Sequence, residues 1–337
     1  MKVALVHDYL SQDGGAERVL SVLQKMFPQA PTFVWFYNPE NFDGAFDGKD
    51  IRTSFIQKLP FGKTHYQWYL PLLPMATEHH DLSDYDVVIS SVSSFAKGII
   101  TKPHTLHICY CHTPTRYLWT DTHEYVSNLR YNRFIKKLII PPLIGKLRLW
   151  DQLSTQRVDY FIANSKTVQN RIWKYYRRES GVITPPVDIS HYKISQEIEN
   201  YFITGGRMVP YKRFDLVIKV FNRLKKPLKI FGEGPELQSL KNQAGPTIEF
   251  LGKISEQQKA DLLSKAQAFI HPQVEDFGIT PIETMASGRP VIAYGAGGAT
   301  ETIIDGQTGV LFKHQDWHDL LDTVLHFDSN KFDPIFI

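Results

Sequence analysis

The sequence predicts an α/β protein built from two doubly wound, parallel-sheet domains. Short apolar runs of strand length alternate with helical patterns in both halves of the 337-residue chain, as expected when helices cover both faces of a parallel sheet. Two prolines interrupt the alternation near residues 183–188, so we place the domains at 1–185 and 186–337. Each is long enough to build its own core, and we expect a cleft between them that closes on a ligand.

The first half is predicted to hold an opening strand, an amphipathic helix and three further buried strands. Continuous apolar runs place the strands at 3–6, 86–91, 107–110 and 160–163. Apolar residues at helical spacing place the first helix at 16–27. The predicted buried face of that helix comprises Val19, Leu20, Leu23, Met26 and Phe27.

The second half shows the same alternation more regularly. Strands are predicted at 201–204, 228–231, 248–251, 268–270 and 291–294, with helical patterns between them. Alternation of this kind predicts a second parallel sheet covered on both faces.

The composition is typical of a folded protein without a membrane span. Apolar residues make up 42% and charged residues 22% of the chain, unlike a disordered segment, and no run approaches the ~20 apolar residues of a spanning helix. The apolar part of the N-terminus is too short for a signal peptide.

The two cysteines, Cys109 and Cys111, lie too close in sequence to pair well with each other. This spacing indicates the reducing environment of the cytosol. A metal site that also includes His112 is the alternative, but no second cluster completes four ligands. We therefore interpret this segment as the buried end of a strand.

Residues 125–150 form a basic segment with interleaved apolar side chains. The segment contains six basic residues and no acidic one, and such a segment can lie on an anionic membrane surface. The alternative is a pair of core helices with a solvated basic face, broken at Pro141 and Pro142. We favour the membrane surface, and we do not expect nucleic-acid binding because no nucleic-acid module is recognisable. The basic residues are Arg130, Arg133, Lys136, Lys137, Lys146 and Arg148, and the aromatic ones include Tyr131 and Phe134.

Two carboxylates, Glu275 and Glu283, are separated by seven residues. The first ends a loop after the strand at 268–270, and the second lies on a helix that we expect Pro281 to start and Gly288 to stop. Both then lie on the carboxyl side of a strand, where open α/β sheets bind ligands. Because a carboxylate accepts two hydrogen bonds in one plane, the pair suits a ligand that carries a sugar and a ribose.

Three glycine-rich turns follow predicted strands and offer backbone N–H groups to an anion. The first lacks the spacing of the dinucleotide-binding fingerprint, which argues against an oxidoreductase. The second contains Arg207 and Lys212, which we expect to straddle a helix start and to neutralise a diphosphate without a metal. The turns are Asp13-Gly14-Gly15, Gly205-Gly206 and Gly295-Ala-Gly297-Gly298.

His112 follows the strand predicted at 107–110. A histidine at this position would face the expected cleft from the first domain. A lone histidine is more often structural, so the position alone leaves both interpretations open.

Together these residues resemble glycosyltransferase family 4, a family of retaining nucleotide-sugar transferases with the GT-B fold of two facing Rossmann-like domains. The resemblance covers nearly the whole chain, and the segment from His112 to Tyr117 is similar to the branch of bacterial polysaccharide and O-antigen mannosyltransferases. The motifs are Asp13-Gly14-Gly15-Ala-Glu17-Arg18, Cys111-His112-Thr113-Pro114, Ala163-Asn164-Ser165, Pro186-Val187-Asp188, Gly206-Arg207 with Lys212, Phe231-Gly-Glu-Gly234, Glu275 with Glu283, and Gly297-Gly298 with Glu301.

The resemblance implies a role for each candidate residue. Arg207 and Lys212 would stabilise the departing nucleoside diphosphate, Glu275 would bind hydroxyls of the transferred hexose, and His112 would contact that sugar near its 6-position. Gly15 would bind the donor phosphates through its backbone. No metal and no other cofactor are expected, because the two cations replace the metal. The residues expected to bind the donor are Gly14, Gly15, Glu283 (at the ribose), Phe277, Gly278, Ile279, Gly297 and Gly298.

The predicted function is transfer of a hexose, with mannose from GDP-mannose favoured, to a lipid-linked or polysaccharide acceptor. The enzyme is expected in the cytoplasm, peripheral to the inner membrane. A UDP-hexose donor is the first alternative. A non-catalytic GT-B partner subunit is the second, and it would be expected to have lost Arg207, Lys212 or Glu275. An epimerase lacks support because no acid–base pair is evident.

Family members usually continue into a C-terminal helix that crosses back onto the first domain. This chain stops at residue 337, soon after the helical pattern at 316–327. The resemblance therefore predicts either a short natural protein or a truncation.

Overall fold

The computed structural model describes residues 1–12, 14–42, 44–128 and 132–337. They form two compact units, Met1–Pro186 (unit 1) and Val187–Ile337 (unit 2). Asp13 of the first glycine turn, and Arg130 and Tyr131 of the basic segment, lie outside the described residues. Each unit is built on its own parallel sheet.

Unit 1 contains a parallel sheet of seven described strands. In their order across the sheet, the strands are β3 (Ile51–Thr53), β2 (Thr32–Val34), β1 (Val3–His7), β4 (Val87–Val92), β5 (Leu106–Cys111), β6 (Tyr160–Ala163) and β7 (Ser180–Val182). The order reverses between β1 and β4, which makes the sheet doubly wound. Open sheets bind ligands beside such a reversal, at the carboxyl ends of the strands.

The helices of unit 1 connect these strands. They are α1 (Gly15–Met26), α2 (Leu73–Glu78), α3 (Thr122–Asn128), α4 (Ile140–Ser154) and α5 (Lys166–Tyr176). The predicted first helix is confirmed, but its buried residues include the polar Glu17 and Gln24. Met26 is 63% exposed, so its predicted burial is wrong. It lies two residues beyond Gln24 and therefore points to the opposite side of the helix.

Alternate residues of the strands in unit 1 pack on opposite faces of the sheet. Ala4 and Val6 of β1 belong to one core cluster, whereas Leu5 belongs to another. Cys109 and Cys111 of β5 lie in the first cluster as buried free thiols. The interpretation of this segment as a buried strand end is confirmed.

The basic segment is one continuous helical stretch from residue 135 onward, not two helices broken at the prolines. A π-helical turn, Ile135–Ile139, leads directly into α4. Pro141 and Pro142 lie in the first turn of α4, directly after the π-helical turn, and do not end the helical stretch. No described helix is long and apolar enough to cross a membrane.

A fully buried ion pair joins α4 to the segment after β4. The side chains of Lys97 and Asp151 are in direct contact and have no exposed surface. Lys97 Nζ also donates a 2.8 Å hydrogen bond to the Ser94 carbonyl. Asp151 accepts bonds of 2.8 Å from Trp119 Nε1 and from the Tyr176 hydroxyl. Because a buried charge is tolerated only when its partners are in place, this network fixes α4 against the sheet.

Unit 2 contains a parallel sheet of six described strands. In their order across the sheet, they are β10 (Ile248–Gly252), β9 (Leu228–Phe231), β8 (Phe202–Gly205), β11 (Phe269–His271), β12 (Val291–Tyr294) and β13 (Gly309–Phe312). The helices are α6 (Phe214–Leu224), α7 (Leu237–Gln243), α8 (Glu256–Lys265), α9 (Ile279–Ala286), α10 (Ala299–Thr302) and α11 (Trp317–His326). This sheet is also doubly wound, with its reversal between β8 and β11.

Two apolar clusters build the core of unit 2. Phe214 and Phe221 of α6 belong to the same cluster as Leu320 of α11. Ile203 and Phe269, from the neighbouring strands β8 and β11, belong to the second cluster. The five strands predicted for this half are confirmed within one residue at each end, whereas β13 was not predicted.

Candidate functional site

Lys212 and Glu275 form an ion pair beside the reversal point of the unit 2 sheet. Lys212 ends a short 3-10 turn, Pro210–Lys212, between β8 and α6, and Glu275 lies in the loop between β11 and α9. Because β8 and β11 are parallel neighbours, the loops from their carboxyl ends meet over the same part of the sheet. Lys212 Nζ contacts Glu275 Oε1, and the two side chains are 14% and 20% exposed.

The surroundings of Glu275 hold its carboxyl group in the charged state. Burial raises the pKa of Glu275, but Lys212 and then His271 and Gln273 outweigh this effect and lower the pKa to about 2. Gln273 Nε2 donates a 3.3 Å hydrogen bond to Oε1. The group is therefore an ionised hydrogen-bond acceptor at neutral pH, suited to hydroxyl donors rather than to proton donation.

His271 is a site residue that the sequence analysis missed. Gln273 Nε2 donates a 3.1 Å hydrogen bond to its Nδ1, which leaves the ring proton on Nε2. Nε2 lies 4.0 Å from Glu275 Oε2 and has no hydrogen-bond partner among the described residues. Burial lowers the pKa of His271 to about 4, so the ring is neutral. The sequence feature that could have identified His271 is its position as a polar residue directly after the apolar run at 268–270.

The glycine turn at residues 297–298 packs directly against the Glu275 loop. Gly298 N donates a 2.8 Å hydrogen bond to the Glu275 carbonyl, and a Cβ at Gly298 would lie 2.4 Å from the Phe277 carbonyl oxygen. Gly297 has a φ of 65°, a backbone conformation that favours glycine. The structure thus brings together Phe277, Gly297 and Gly298 with Glu275, four of the residues singled out from the sequence.

Gly278 precedes α9 and borders the carboxylate of Glu275. Its φ is 92°, and a Cβ there would lie 3.6 Å from both Glu275 Oε2 and His271 Nε2. Ile279 is the first residue of α9, so the helix begins two residues before the predicted start at Pro281. The left-handed conformation of Gly278 sets this start because it allows the chain to turn sharply from the loop into the helix.

Glu283 is buried on α9 and paired with a lysine of α8. Its side chain is 2% exposed, and both carboxylate oxygens lie 2.9 Å from Lys259 Nζ. Lys259 also lies 2.8 Å from the exposed Glu256. The described contacts of Glu283 are thus with a cation of its own unit, and ribose binding by this residue stays a prediction.

Arg207 and Lys212 lie on either side of the start of the 3-10 turn at Pro210, and both precede α6. Arg213 adopts a left-handed conformation with a φ of 54°. A right-handed helix cannot continue through such a residue, so Arg213 separates the 3-10 turn from α6. Arg207 is exposed and follows Gly206, whose φ is 125°. A Cβ at Gly206 would lie 3.7 Å from Lys212 Nζ, so the second glycine turn borders Lys212.

In unit 1, Gly14 caps the N-terminus of α1 in an extended conformation and Gly15 is its first helical residue. The turn thus presents the start of a twelve-residue helix, with its unpaired N–H groups, at the carboxyl end of β1. A Cβ at Gly14 would lie 2.9 Å from Glu17 Oε2. Glu17 is buried at 4% exposure.

His112 lies immediately after β5 and is 8% exposed. Its Nε2 is 2.8 Å from the Ser91 hydroxyl of β4, and the ring of Tyr110 packs edge-on at a centroid distance of 5.2 Å. Burial, together with the nearby His7, lowers the pKa of His112 to about 3. The imidazole is neutral at physiological pH and can act as a hydrogen-bonding group.

Across the described residues, no three His, Cys, Asp or Glu side chains converge in an arrangement that could hold a metal ion. The unit 2 site instead contains a cation and a carboxylate in contact, Lys212 and Glu275. The cation can bind an anionic group of a ligand, and the carboxylate can accept hydrogen bonds from hydroxyl groups of the same ligand.

Two family models match the chain, one in each half. The model for Glycosyltransferase Family 4 matches residues 13–191, which is more than half of the chain. The chain belongs to glycosyltransferase family 4. The model for Glycosyl transferases group 1 matches residues 190–331, and the resemblance drawn from the sequence motifs is confirmed.

The relatives of this family 4 chain include two mannosyltransferases. It is 28% identical over 287 residues to alpha-1,3/1,6-mannosyltransferase ALG2 of Dictyostelium discoideum, with 69% of this chain and 64% of that protein covered. It is 31% identical over 153 residues to O-antigen chain mannosyltransferase RfbU of Salmonella typhimurium, with 42% and 43% covered. The match spans less than two thirds of the length of either relative.

The fold is similar to that of solved glycosyltransferase structures. Anabaena Alr3699/HepE, in complex with UDP and glucose, has a TM-score of 0.71 at 18% identity, with 98% of this chain and 91% of that chain covered. Sucrose-phosphate synthase from Thermosynechococcus elongatus has a TM-score of 0.70 at 14% identity, with 98% and 91% covered. The predicted GT-B class, with two Rossmann-like domains, is confirmed.

Proposed function

We propose that this protein transfers a hexose from a nucleotide-sugar donor to a hydroxyl of an acceptor. The observation that supports the proposal most directly is the contact between Lys212 and Glu275 beside the glycine turn at residues 297–298. A diphosphate needs a cation, and a sugar needs a hydrogen-bond acceptor. These two groups already lie side by side, each neutralising the other.

Donor binding would exchange the partners of this ion pair. Lys212 Nζ, with Arg207, would turn to the diphosphate, and the Glu275 carboxylate would accept hydrogen bonds from sugar hydroxyls. Gln273 would continue to stabilise the carboxylate, because its amide already donates a hydrogen bond to it. In the reaction the bond from the anomeric carbon to the diphosphate breaks, and a bond to the acceptor oxygen forms on the same face. The acceptor proton leaves with the nucleoside diphosphate, whose developing charge the two cations stabilise.

The remaining candidate residues are described for each unit by itself. In unit 2, Gly278 and Ile279 would present the N-terminus of α9 to donor phosphate. In unit 1, Gly14 and Gly15 would offer backbone N–H groups to a phosphate. Glu283 would accept a hydrogen bond from the ribose. In this proposal no metal is required, because cations of the chain carry the charge.

The proposed donor is GDP-mannose, and the proposed acceptor is a lipid-linked sugar or a polysaccharide. The names of two relatives support mannose, since ALG2 and RfbU are both called mannosyltransferases. A UDP-hexose is the second candidate, because the similar Anabaena protein is described in complex with UDP and glucose.

Calorimetric titration without added metal tests the donor assignment. The ligands are GDP, UDP, GDP-mannose and UDP-glucose. We expect binding of GDP and GDP-mannose; preferential binding of the UDP compounds would keep the reaction and replace the donor. If none of the four binds, the proposal is wrong, and a non-catalytic partner subunit becomes the better explanation.

A matched pair of variants tests the role of Glu275. Glu275→Gln keeps the side-chain volume but removes the charge, and we expect turnover to fall at least about 100-fold, as when a transition-state contact is removed. Glu249→Gln removes an exposed carboxylate from β10 of the same sheet and should leave turnover unchanged. Near-normal turnover in Glu275→Gln would contradict the assigned role.

We also propose that unit 1 binds the surface of an anionic membrane, peripherally and from the cytoplasm. Phe134, Leu138, Leu149 and Leu153 are each at least 60% exposed along the helical stretch that contains α4. Successive members of this set are four, eleven and four positions apart, spacings that return to nearby sides of a helix. Exposed basic residues lie in the same stretch. The exposed basic residues are Arg133, Lys137 and Lys146.

A second exposed apolar group strengthens this proposal. Phe61, Trp68 and Met75 are 64%, 56% and 53% exposed. They flank Leu73, which packs in the same core cluster as Ile144 of α4. Two segments of one unit thus expose aromatic and aliphatic side chains beside a shared cluster, as peripheral membrane proteins do.

Vesicle co-sedimentation tests the membrane proposal. We expect binding to vesicles with anionic lipid, weaker binding to neutral vesicles, and a loss of binding when Leu138 and Leu149 are replaced by Gln. Leu325→Gln, at a 53% exposed leucine of α11 in unit 2, is the control and should not change binding. Equal binding by both variants would show that α4 presents an ordinary solvated face.

A further inference from the structure

Four buried side chains form a chain of contacts at the carboxyl end of the unit 1 sheet. His7 ends β1, Ser91 lies opposite it on β4, and His112 follows β5. His7 Nδ1 is 2.9 Å from the Ser91 carbonyl oxygen and 3.2 Å from its hydroxyl oxygen. The hydroxyl oxygen is 2.8 Å from His112 Nε2. On the far side, His7 Nε2 is 3.8 Å from Glu17 Oε1 of α1.

The contact between His7 and the Ser91 carbonyl determines where His7 carries a proton. A carbonyl oxygen can only accept a hydrogen bond, so Nδ1 of His7 must be the donor. Its other nitrogen faces the Glu17 carboxylate, which favours a second proton there. Burial opposes this charge, but Glu17, Asp8 and the Ser91 carbonyl outweigh it and raise the pKa of His7.

The protonated Nδ1 of His7 then determines the direction of the next hydrogen bond. The Ser91 hydroxyl oxygen faces this N–H at 3.2 Å and accepts from it. The buried hydroxyl hydrogen needs an acceptor of its own, and His112 Nε2 lies beside it at 2.8 Å, so we orient the hydroxyl hydrogen towards that nitrogen. A nitrogen that accepts cannot carry the ring proton of a neutral imidazole, so that proton lies on Nδ1 of His112.

We propose that His7 and Ser91 are positioning residues that fix His112 as the neutral tautomer with its proton on Nδ1. His112 then presents an N–H donor, at Nδ1, to an oxygen of the transferred sugar. The identity of that ligand rests on the proposed function, whereas the tautomer follows from unit 1 alone. Nε2 is the ring nitrogen that contacts Ser91, so Nδ1 is the nitrogen that is left for a ligand.

Glu17 connects this arrangement to the first glycine turn. The same carboxylate that faces His7 would lie 2.9 Å from a Cβ at Gly14. Asp8 also lies near His7, and its carboxylate accepts backbone N–H bonds from residues 93–96. His112 faces His7 from the β5 side, and the positive charge of His7 disfavours a second charge on His112.

Histidine-labelled NMR of the full chain tests the proposal, because proton-coupled ¹⁵N shifts distinguish the two tautomers. The His112 signals are assigned by their loss in His112→Gln. We expect wild-type His112 to carry its proton on Nδ1 and to remain neutral at pH 5, while His7 titrates above pH 6.5, its ordinary pKa. Proton occupancy of Nε2, or a charged His112 at neutral pH, would overturn the proposal.

Two variants separate positioning from packing. Ser91→Ala removes the hydroxyl but keeps the carbonyl that holds His7, so His112 should become a mixture of tautomers. Glu17→Gln is the control: it should lower the pKa of His7 but leave the His112 tautomer unchanged, since the Ser91 carbonyl still orients His7. An unchanged tautomer in Ser91→Ala overturns the proposal.

Calorimetry with GDP-mannose and UDP-glucose connects the tautomer to the ligand. Ser91→Ala should weaken binding of the better ligand about tenfold, the effect of one hydrogen bond, and His112→Gln should weaken it similarly. Unchanged affinity in both variants overturns the donor role of His112. If the wild type shows the expected tautomer but binds neither compound, the proposed function is wrong, whereas the positioning of His112 is supported.

Discussion

Replacement of Lys212 by Met should destabilise unit 2, because it leaves the Glu275 carboxylate partly buried without its cation. Met retains most of the length of the lysine stem, so the change removes the charge with little loss of packing. The variant therefore measures how strongly the donor-free site depends on its own ion pair.

The size of the effect follows from the electrostatics of Glu275. Its pKa is lowered from 4.5 to about 2, which corresponds to about 3 kcal/mol at about 1.36 kcal/mol per pH unit. The two side chains are 14% and 20% exposed, between the surface pairs that contribute about 0–1 kcal/mol and the buried pairs that cost about 3–5 kcal/mol when broken. We expect Lys212→Met to lower the unfolding free energy by about 2–3 kcal/mol at pH 7.

The pH dependence of this loss has a defined sign. A carboxyl group whose folded pKa is depressed stabilises the folded state above its ordinary pKa of 4.5, and that contribution disappears as the pH falls towards 2. The stability difference between Lys212→Met and the wild type should therefore be largest at neutral pH and shrink below pH 4.5.

A double-mutant cycle in urea supplies the measurement. Lys212→Met, Glu275→Gln and the double variant are compared with the wild type, with unfolding of unit 2 followed by ¹⁹F NMR of fluorotryptophan at Trp317. Trp317 is suitable because the other five of the six tryptophans lie in unit 1, and a two-domain chain need not unfold in one step. We expect the double variant to regain most of the stability lost in Lys212→Met. A coupling energy below about 0.5 kcal/mol would refute the reasoning, since independent sites add within that range.

Three further substitutions test other parts of the structure, each by urea unfolding. Gly298→Ala places a methyl group 2.4 Å from the Phe277 carbonyl oxygen, so we expect a loss of about 1–3 kcal/mol from overpacking; unchanged stability would mean that the turn moves freely. Asp8→Asn weakens charge-assisted hydrogen bonds from four backbone N–H groups and should lower the unfolding free energy by about 1.5–3 kcal/mol. Unchanged stability would mean that those bonds are absent in solution. Lys97→Met leaves Asp151 buried without its counter-charge and should cost about 3–5 kcal/mol; a stabilised variant would contradict the network.

Three inner strands were predictable because each is an almost continuous apolar run. β6, β9 and β12 have the bounds that the apolar runs indicate. β3 lies at the edge of its sheet and carries exposed Arg52 and Thr53, so it has no apolar run. β13 begins at Gly309, a residue that is depleted in strands. Edge position and short length thus remove the pattern on which a strand prediction depends.

The site was predictable where its residues are close in sequence. Glu275, Phe277 and Gly278 belong to one loop, and their proximity follows from the chain itself. His7 and Ser91 are 84 residues apart and meet only because β1 pairs with β4. No property of either residue indicates that pairing, since many strand orders would satisfy the same apolar runs. Lys259 was missed for the same reason, because it reaches Glu283 from a different helix.

The order of strands in the two sheets has a consequence for synthesis. In unit 1 the ribosome releases β1 first, then β2 and β3 on one side of it, and then β4 to β7 on the other. Unit 2 follows the same plan, with β8 first, β9 and β10 outward, and β11 to β13 on the opposite side. Within each arm every new strand can join an edge that already exists, without displacing earlier pairs.

This outward growth leaves one edge open for a long interval. The second side of β1, which ends at His7, waits for β4, which begins at Val87. The intervening ~80 residues take several seconds to emerge at typical synthesis rates. An unpaired edge of that kind can pair with another chain. Nascent chains arrested before residue 87 should therefore be the species of this protein most prone to self-association.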